Sequence, residues 1–454
     1  METPFNERSI TARLDARYRD TGAPAYQALY VWGLLNCVLV FAQQYLNFIL
    51  NPIGAQKFTY ISTGLWIAAA LWTRRAPLRL PFFIIILRVL QMWLSFCSLR
   101  GEMVVGTMTV PNAMDFVFLV YVLAFIQASL LVWFAPECRR IFGLITIIIS
   151  VMSSFTAFLQ FFGVGPAIEL ARKIREADII FAGAEQSEVI RAPGLHSAVG
   201  NAVVWPCAAA LMVAVIVKYR PYKWYDVVAF MLMLGSATII QIRNQMLLVV
   251  ICAGWIYLWA YRSYGRKVLT AGATLLTSAL MFLALQPDRF AYLLQGTDTL
   301  DFRQNRLWPQ ARYVLQEQPF FGIGVEPAFA GWTTQVLPNK WMNIGLIDNG
   351  FYLIGIWGGY PAIGILAIML VIGLASSVFA LHKPNEDYWH EAFKLATVAL
   401  MIFNLTGMFW GSLFANPVPV GVMFICAGMS LNSYRSTLNQ ENRGETAMEA
   451  AGTA

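Results

Sequence analysis

Arg191, Arg243, Arg303 and Arg306 lie far apart in the chain, yet each stands beside an apolar run and each can grip an oxyanion. A guanidinium stays charged at any physiological pH and offers a planar fork of donors matching a phosphate or carboxylate edge. Arg303 and Arg306, in Phe302-Arg303-Gln304-Asn305-Arg306-Leu307-Trp308, share a face if that stretch is helical and can hold one anion together. The alternative for them is a solvated helix with ion pairs to Asp301 or Glu317. Arg191 opens Arg191-Ala192-Pro193-Gly194-Leu195-His196, and Arg243 sits in the short hairpin Ile242-Arg243-Asn244-Gln245. Each reads either as an anion ligand or as an interfacial cation snorkelling at a span end. Asp348, followed by Asn349, supplies a carboxylate that can take a proton from a hydroxyl, and it equally suits the N-cap of a helix beginning there. Glu326 and His196 are substitute bases. The set describes anion binding beside a base, on a water-accessible substrate.

These residues have to be positioned by membrane helices. The chain has 454 residues, 58% hydrophobic and 13% charged, with a mean hydropathy of +0.58, far from the balance of a soluble domain. A hydrocarbon core needs about 20 apolar residues per helical span, and backbone groups in lipid must be satisfied within the segment. The expected fold class is therefore all-α, a polytopic bundle. Hydropathy places spans at 26–46, 58–72, 80–99, 115–134, 141–162, 195–217, 226–240, 245–261, 268–286, 349–381, 396–414 and 418–431, about twelve in all. The domain organisation is a polar segment 1–25 with no cleavable signal, a transmembrane bundle 26–435 and a disordered polar tail 436–454. Two long segments, 163–194 and 287–348, interrupt the spans. The second carries Arg289, Arg303, Arg306, Arg312 and Lys340, and reads as a short helix near Ala311 followed by a turn at Pro319-Phe320-Phe321-Gly322-Ile323-Gly324.

Charge sets the expected orientation. More than half of the 32 lysines and arginines fall before the first span or in loops on the same side, among them Arg74, Arg139, Lys218, Lys383 and Lys394. Short loops on the other side hold only Lys57, Arg100 and Arg243. The positive-inside rule then puts both termini in the cytoplasm, and most of the net charge of +7 is orientation signal, so no nucleic-acid partner is expected. Both long segments face outward. Arg88 sits mid-span, where a cation costs about 2.5–3.5 kcal/mol on insertion scales and is expected to face the bundle interior. It serves function there, or contacts backbone carbonyls or glutamines such as Gln43, Gln44 or Gln127. His382 and His390 read as surface residues of a cytoplasmic loop. Gly355, Gly358, Gly359 and Gly364 make a small-residue face suited to tight helix packing.

Several motifs are absent: a phosphate loop with lysine, His-Glu-x-x-His, Gly-x-Ser-x-Gly, and paired aspartates in an outer loop. The six cysteines lie in or beside spans, with no disulfide framework or zinc spacing. No cofactor or metal is expected.

The ordered pieces resemble the O-antigen ligase and Wzy-type O-antigen polymerase superfamily of bacterial envelope enzymes. They are Arg191-x-x-Gly194 with Asn201 after it, Arg243 at a hairpin, Arg303-x-x-Arg306-Leu307-Trp308, the Pro319–Gly324 turn, and Asp348-Asn349 running to Gly358-Gly359. The resemblance spans about 170 residues; before Arg191 it is only a likeness of span-rich bundles. It implies a glycosyltransferase of the inner membrane, active on the periplasmic face without metal or nucleotide sugar. Its donor and acceptor are polyprenyl-diphosphate-linked oligosaccharides, with Arg191, Arg243, Arg303 and Arg306 on the diphosphate and Asp348 as catalytic base or acceptor-orienting residue. Arg88, Glu326, His196 and Asn349 are secondary candidates. Membrane lipids, chain-length regulators and export proteins are the implied partners. The superfamily's lipopolysaccharide ligases typically carry a histidine where this chain has Asp348, which tilts the expectation to a polymerase of repeat units. A ligase acting on lipid A-core, or a flippase for the lipid-linked saccharide, are the alternatives.

The orientation has a direct check. Alkaline phosphatase inserted after Gln335 is expected to be active, and the same enzyme inserted after Asn385 inactive; the reverse pattern would invert the topology.

Overall fold

The structure, a computed structural model, describes residues 27–38, 55–74, 80–105, 113–134, 137–174, 192, 194–195, 204–221, 223–239, 251–252, 304–305, 308–325, 349–383, 385–409 and 417–431. Among them every regular element is a helix, as the apolar spacing requires. In chain order these are α1 (Gln27–Val38), α2 (Ala55–Arg74), α3 (Phe82–Val105), α4 (Ala113–Phe134), α5 (Cys138–Phe161), α6 (Gly165–Ile174), α7 (Val204–Tyr219), α8 (Trp224–Ile239), α9 (Trp308–Glu317), α10 (Gly350–Leu381), α11 (Tyr388–Gly407) and α12 (Pro417–Leu431). Among the described residues three stretches are long and apolar enough to cross a membrane: Phe82–Gly101, Cys138–Phe161 and Gly350–Leu381, of 20, 24 and 32 residues. The segment 1–25, the tail beyond Leu431 and nearly all of the spans expected at 245–261 and 268–286 lie outside the described residues.

Burial separates the helices into a centre and a shell. In α7 every residue from Val204 to Ile216 is buried, and in α11 every residue from Trp389 to Met401. A helix covered all round belongs to the core of a bundle, and these two pack on each other. The shell helices show one apolar face to the outside. On α3 it is Phe82, Ile85, Val89, Met92 and Phe96; on α5 it is Leu144, Ile148, Met152 and Phe155. Stripes at this helical spacing are the surface that hydrocarbon covers. Close crossings fix the packing. Gly428 of α12 leaves room for α4, where an added Cβ would meet the Phe125 carbonyl oxygen at 2.6 Å. Nearby, Tyr121 stacks on Phe424 with centroids 5.6 Å apart. The six cysteines are all buried and unpaired.

One end of the bundle is pinned by charge. Arg139, fully buried in the first turn of α5, bonds Glu386 at 2.6 Å and donates from Nε to the Met429 carbonyl at 2.8 Å. Glu391 gathers Lys218 at 2.7 Å, Asn385 at 3.0 Å and the Tyr219 hydroxyl. His390 lies within 2.8 Å of the Ser430 carbonyl through Nε2, and its Nδ1 accepts from the Glu386 amide. Burial raises the Asp387 carboxyl, against the pull of Arg139, and its side chain accepts from the His390 amide as the N-cap of α11. This corrects the expectation for His390, which is buried and not a surface residue. It also moves the start of the helix to Tyr388 from the expected Ala396, because the polar residues that looked like loop are partners for cations arriving on α5 and α7. Among the counted cations Arg139 and Lys394 are buried, and Lys394 donates to the Lys383 carbonyl and to Asn385 Oδ1, each at 3.0 Å.

Removing one member of a buried pair strands the other. Arg139→Met or Glu386→Gln is therefore expected to destabilise by about 3–5 kcal/mol, while the more exposed pair Arg220 and Asp226 contributes under about 1 kcal/mol, read from Arg220→Met. Thermal unfolding of the detergent-purified protein measures both. An Arg139→Met protein that melts like the parent would refute the pinning role.

Candidate functional site

The opposite end of the bundle is organised around a break in α10. Gly359, at φ 72° and ψ −171°, interrupts the helix, and Pro361 follows. A regular helix would send the Tyr360 N–H to the Ile356 carbonyl, the residue-361 N–H to Trp357 and the residue-362 N–H to Gly358. Proline has no N–H to send, and the break removes its neighbours' partners. The Tyr360 N–H and the carbonyls of Ile356, Trp357 and Gly358 find replacements. Tyr360 N donates to the Pro319 carbonyl at 2.8 Å, Ile323 N to the Ile356 carbonyl at 2.8 Å, and Gly324 N to the Trp357 carbonyl at 3.2 Å. The Gly358 carbonyl accepts from Trp93 Nε1 of α3 at 2.7 Å. Irregular backbone survives within an apolar bundle only when satisfied this way.

The partner in three of these bonds is the Pro319–Gly324 turn. It sits about 10 Å along the helix axis from the Gly350 start of α10, with Gly322, Ile323 and Gly324 buried and Pro319 and Phe320 exposed. Two glycines permit the fit. Gly322, at φ 58°, has the Ile356 carbonyl oxygen and the Gly358 and Gly359 amides where a side chain would be. Gly359 has the Pro319 and Phe320 carbonyl oxygens at 2.5 Å from its would-be Cβ. The turn's aromatic side completes the seat. Phe321 stacks on Trp93 with centroids 5.6 Å apart, and the Arg100 guanidinium lies 4.7 Å over the Phe321 ring.

Above the break, the mouth of α10 is fixed by Asn349. Its Oδ1 accepts from Tyr352 N at 3.0 Å and its Nδ2 donates to the Phe409 carbonyl at 3.2 Å, while Gly350 N donates to the Met408 carbonyl at 2.8 Å. The N-cap of α10 is thus Asn349, and the end of α11 is tied to the same point. α9 packs over this mouth through buried Ala311, Val314 and Leu315. From its outer face Arg312 Nε donates to the Tyr352 hydroxyl at 2.9 Å, a bond that raises the guanidinium's already high pKa. The Trp308 ring lies 6.0 Å from that of Tyr352.

A second anchor holds the stretch around Gly194. The Gln160 amide, near the end of α5, accepts from Gly194 N at 2.9 Å and donates to the Gly194 carbonyl at 2.9 Å. Ser153 Oγ accepts from Leu195 N at 3.1 Å, and Ala192 is buried beside Ala157. Residues immediately after Arg191 are therefore bolted to α5, at the end away from Arg139.

The expected site residues divide accordingly. Arg191, Arg243, Arg303, Arg306, Asp348, Glu326 and His196 lie outside the described residues. Their described neighbours, Ala192, Gly194, Trp308 and Asn349, all occupy the same end of the bundle. Arg88 departs from expectation: it lies on the exposed face of α3 and donates to Gln91, the residue that helical spacing puts beside it, while Gln127 donates to the Gly33 carbonyl. Gly364 meets no neighbour within 4 Å, so it takes no part in the close packing that Gly355 and Gly358 make. Sequence reasoning overlooked Gln160 and Trp93, for which a polar side chain late in an apolar span and a tryptophan facing a glycine pair were the available signals. Among the described residues no group of three or more histidine, cysteine or acidic side chains is placed to hold a metal ion. Comparison of the sequence with protein-family models and with curated proteins finds no match to either.

Gly322→Ala and Gly359→Ala are each expected to cost more than about 2 kcal/mol, since strain in the left-handed region of about 1–2 kcal/mol adds to a backbone clash. Gly364→Ala, in open space within a helix, should gain about 0.5–1 kcal/mol. Melting temperatures in detergent compare the three, and equal values for all would contradict the seating of the turn.

Proposed function

We propose that the chain is a metal-independent glycosyltransferase of a bacterial inner membrane that polymerises polyprenyl-diphosphate-linked oligosaccharide units on the periplasmic face. The observation that carries this reading is the backbone pairing of the Pro319–Gly324 turn with the broken helix after Asp348-Asn349. These are two of the ordered motifs, distant in sequence, and their union gives the mouth of α10 a rigid floor. The anchoring of Gly194 by Gln160 adds a third motif at that end.

In this mechanism the arginines Arg191, Arg243, Arg303 and Arg306 hold the donor's diphosphate and stabilise the charge it gains on leaving. The acceptor hydroxyl oxygen attacks the anomeric carbon, forming the new glycosidic bond. The bond from that carbon to the phosphate oxygen breaks, and its electron pair leaves with the polyprenyl diphosphate. Asp348 takes the hydroxyl proton. Because Asn349 occupies the N-cap, the capping role weighed for Asp348 is already filled, which favours a chemical role for the carboxylate.

Purified protein given lipid-linked oligosaccharide in detergent is expected to lengthen it, and Arg243→Ala to lower the rate about 10²–10³-fold, as loss of one charge-stabilising donor does elsewhere. A flippase would make no polymer under these conditions. A ligase would leave polymer length unchanged when the gene is deleted, whereas loss of a polymerase leaves single repeat units.

A further inference from the structure

Arg312 is left over from the assignments above, and its surroundings are unusual for a surface cation. It projects from the exposed face of a helix whose opposite face is buried against α10, with Leu315 within 3.2 Å of the Gly355 position. Its hydrogen bond to Tyr352 uses Nε alone. The Nη1 and Nη2 edge of the fork, the one that grips oxyanions bidentately, is not engaged by any carboxylate among the described residues. Glu317, the nearest acidic residue along the helix, does not pair with it. Tyr352 is itself immobilised, since its backbone N–H is capped by Asn349 and its ring lies against Trp308. Trp308 Nε1 is buried and meets no acceptor among the described residues. An unmade hydrogen bond at a buried donor is costly, and an oxygen-rich ligand would supply the missing acceptor. The cluster is therefore rich in donors, preorganised, and located at the first turn of α10, beside the Asn349 cap.

We propose that Arg312 is a further oxyanion-binding residue of the transfer site, positioned by Tyr352 to take phosphate oxygens of the lipid diphosphate. The assignment rests on the polymerase reading and adds to it a residue that none of the ordered motifs contains. Tyr352 acts through Arg312: by accepting from Nε its hydroxyl holds the guanidinium at the mouth of α10 and leaves the Nη1 and Nη2 edge for a ligand. A mere clip between α9 and α10 would serve with Nε alone, and would leave ligand binding indifferent to the charge.

The test uses the full chain in lipid nanodiscs with undecaprenyl diphosphate and undecaprenol as probes. The parent protein should bind the diphosphate more tightly than the alcohol. Arg312→Gln should weaken diphosphate binding about tenfold, with alcohol binding and melting temperature unchanged. Arg312→Lys should recover part of the loss, because charge returns without the fork. Tyr352→Phe should weaken diphosphate binding a few-fold by releasing the guanidinium. Parent-like diphosphate affinity in Arg312→Gln would overturn this inference and leave the polymerase reading standing. So would equal losses for both probes accompanied by a lower melting temperature, the mark of a clip. A parent protein that does not prefer the diphosphate would overturn both.

Discussion

A peptide group without a hydrogen-bond partner is costly inside an apolar bundle, and that constraint shapes the Asn349 end of this molecule. The break at Gly359 frees several backbone groups at once. They are satisfied by three bonds to a turn delivered from another part of the chain and one from an indole on α3. The turn cannot be a passive crossing of the surface, because without it α10 would be left with orphaned carbonyls. Conversely, the turn has no helix or sheet of its own and takes its shape from α10. Helix α9, the Trp93 and Phe321 stack and the Asn349 cap then follow as the supports of one joint.

The far end obeys the same rule with different groups. There the buried groups are charged side chains, and Arg139, Glu386, Glu391 and Lys218 satisfy one another across α5, α7 and the start of α11. The two ends divide the work. Ion pairs join helices at one end, and backbone pairing joins the turn to α10 at the other. Arg312 illustrates the difference: Arg139 is enclosed by its partners, whereas no carboxylate among the described residues meets the fork of Arg312.

Hydropathy made much of this fold legible. The spans at 80–99, 115–134, 141–162, 226–240, 349–381 and 418–431 correspond to α3, α4, α5, α8, α10 and α12 within a few residues. What it missed has physical causes. A hydropathy window averages side chains and is blind to backbone, so 349–381 read as one continuous helix although Gly359 and Pro361 announce a break. It also equates polarity with exposure, and this hid the start of α11, where His390, Glu391 and Lys394 are buried because cations from other helices meet them. The reverse error occurred at Arg88, where apolar surroundings in sequence suggested an interior position. Of the candidate site, the motifs and their order were readable; the joint between the turn and α10 was not, since no single-sequence rule pairs a loop with a distant glycine.

The chain leaves the joint after Val325 and re-enters the same helix at Asn349, so both moorings of the intervening segment belong to one rigid object. Closing a longer loop between fixed points costs little, about 0.6 kcal/mol for each doubling of its length. The turn, the break and the cap are held by bonds to one another, to Trp93 and to Met408, and none of these bonds passes through the chain between Val325 and Asn349. The geometry of the joint is set by backbone pairing and not by the length of chain that joins its two halves.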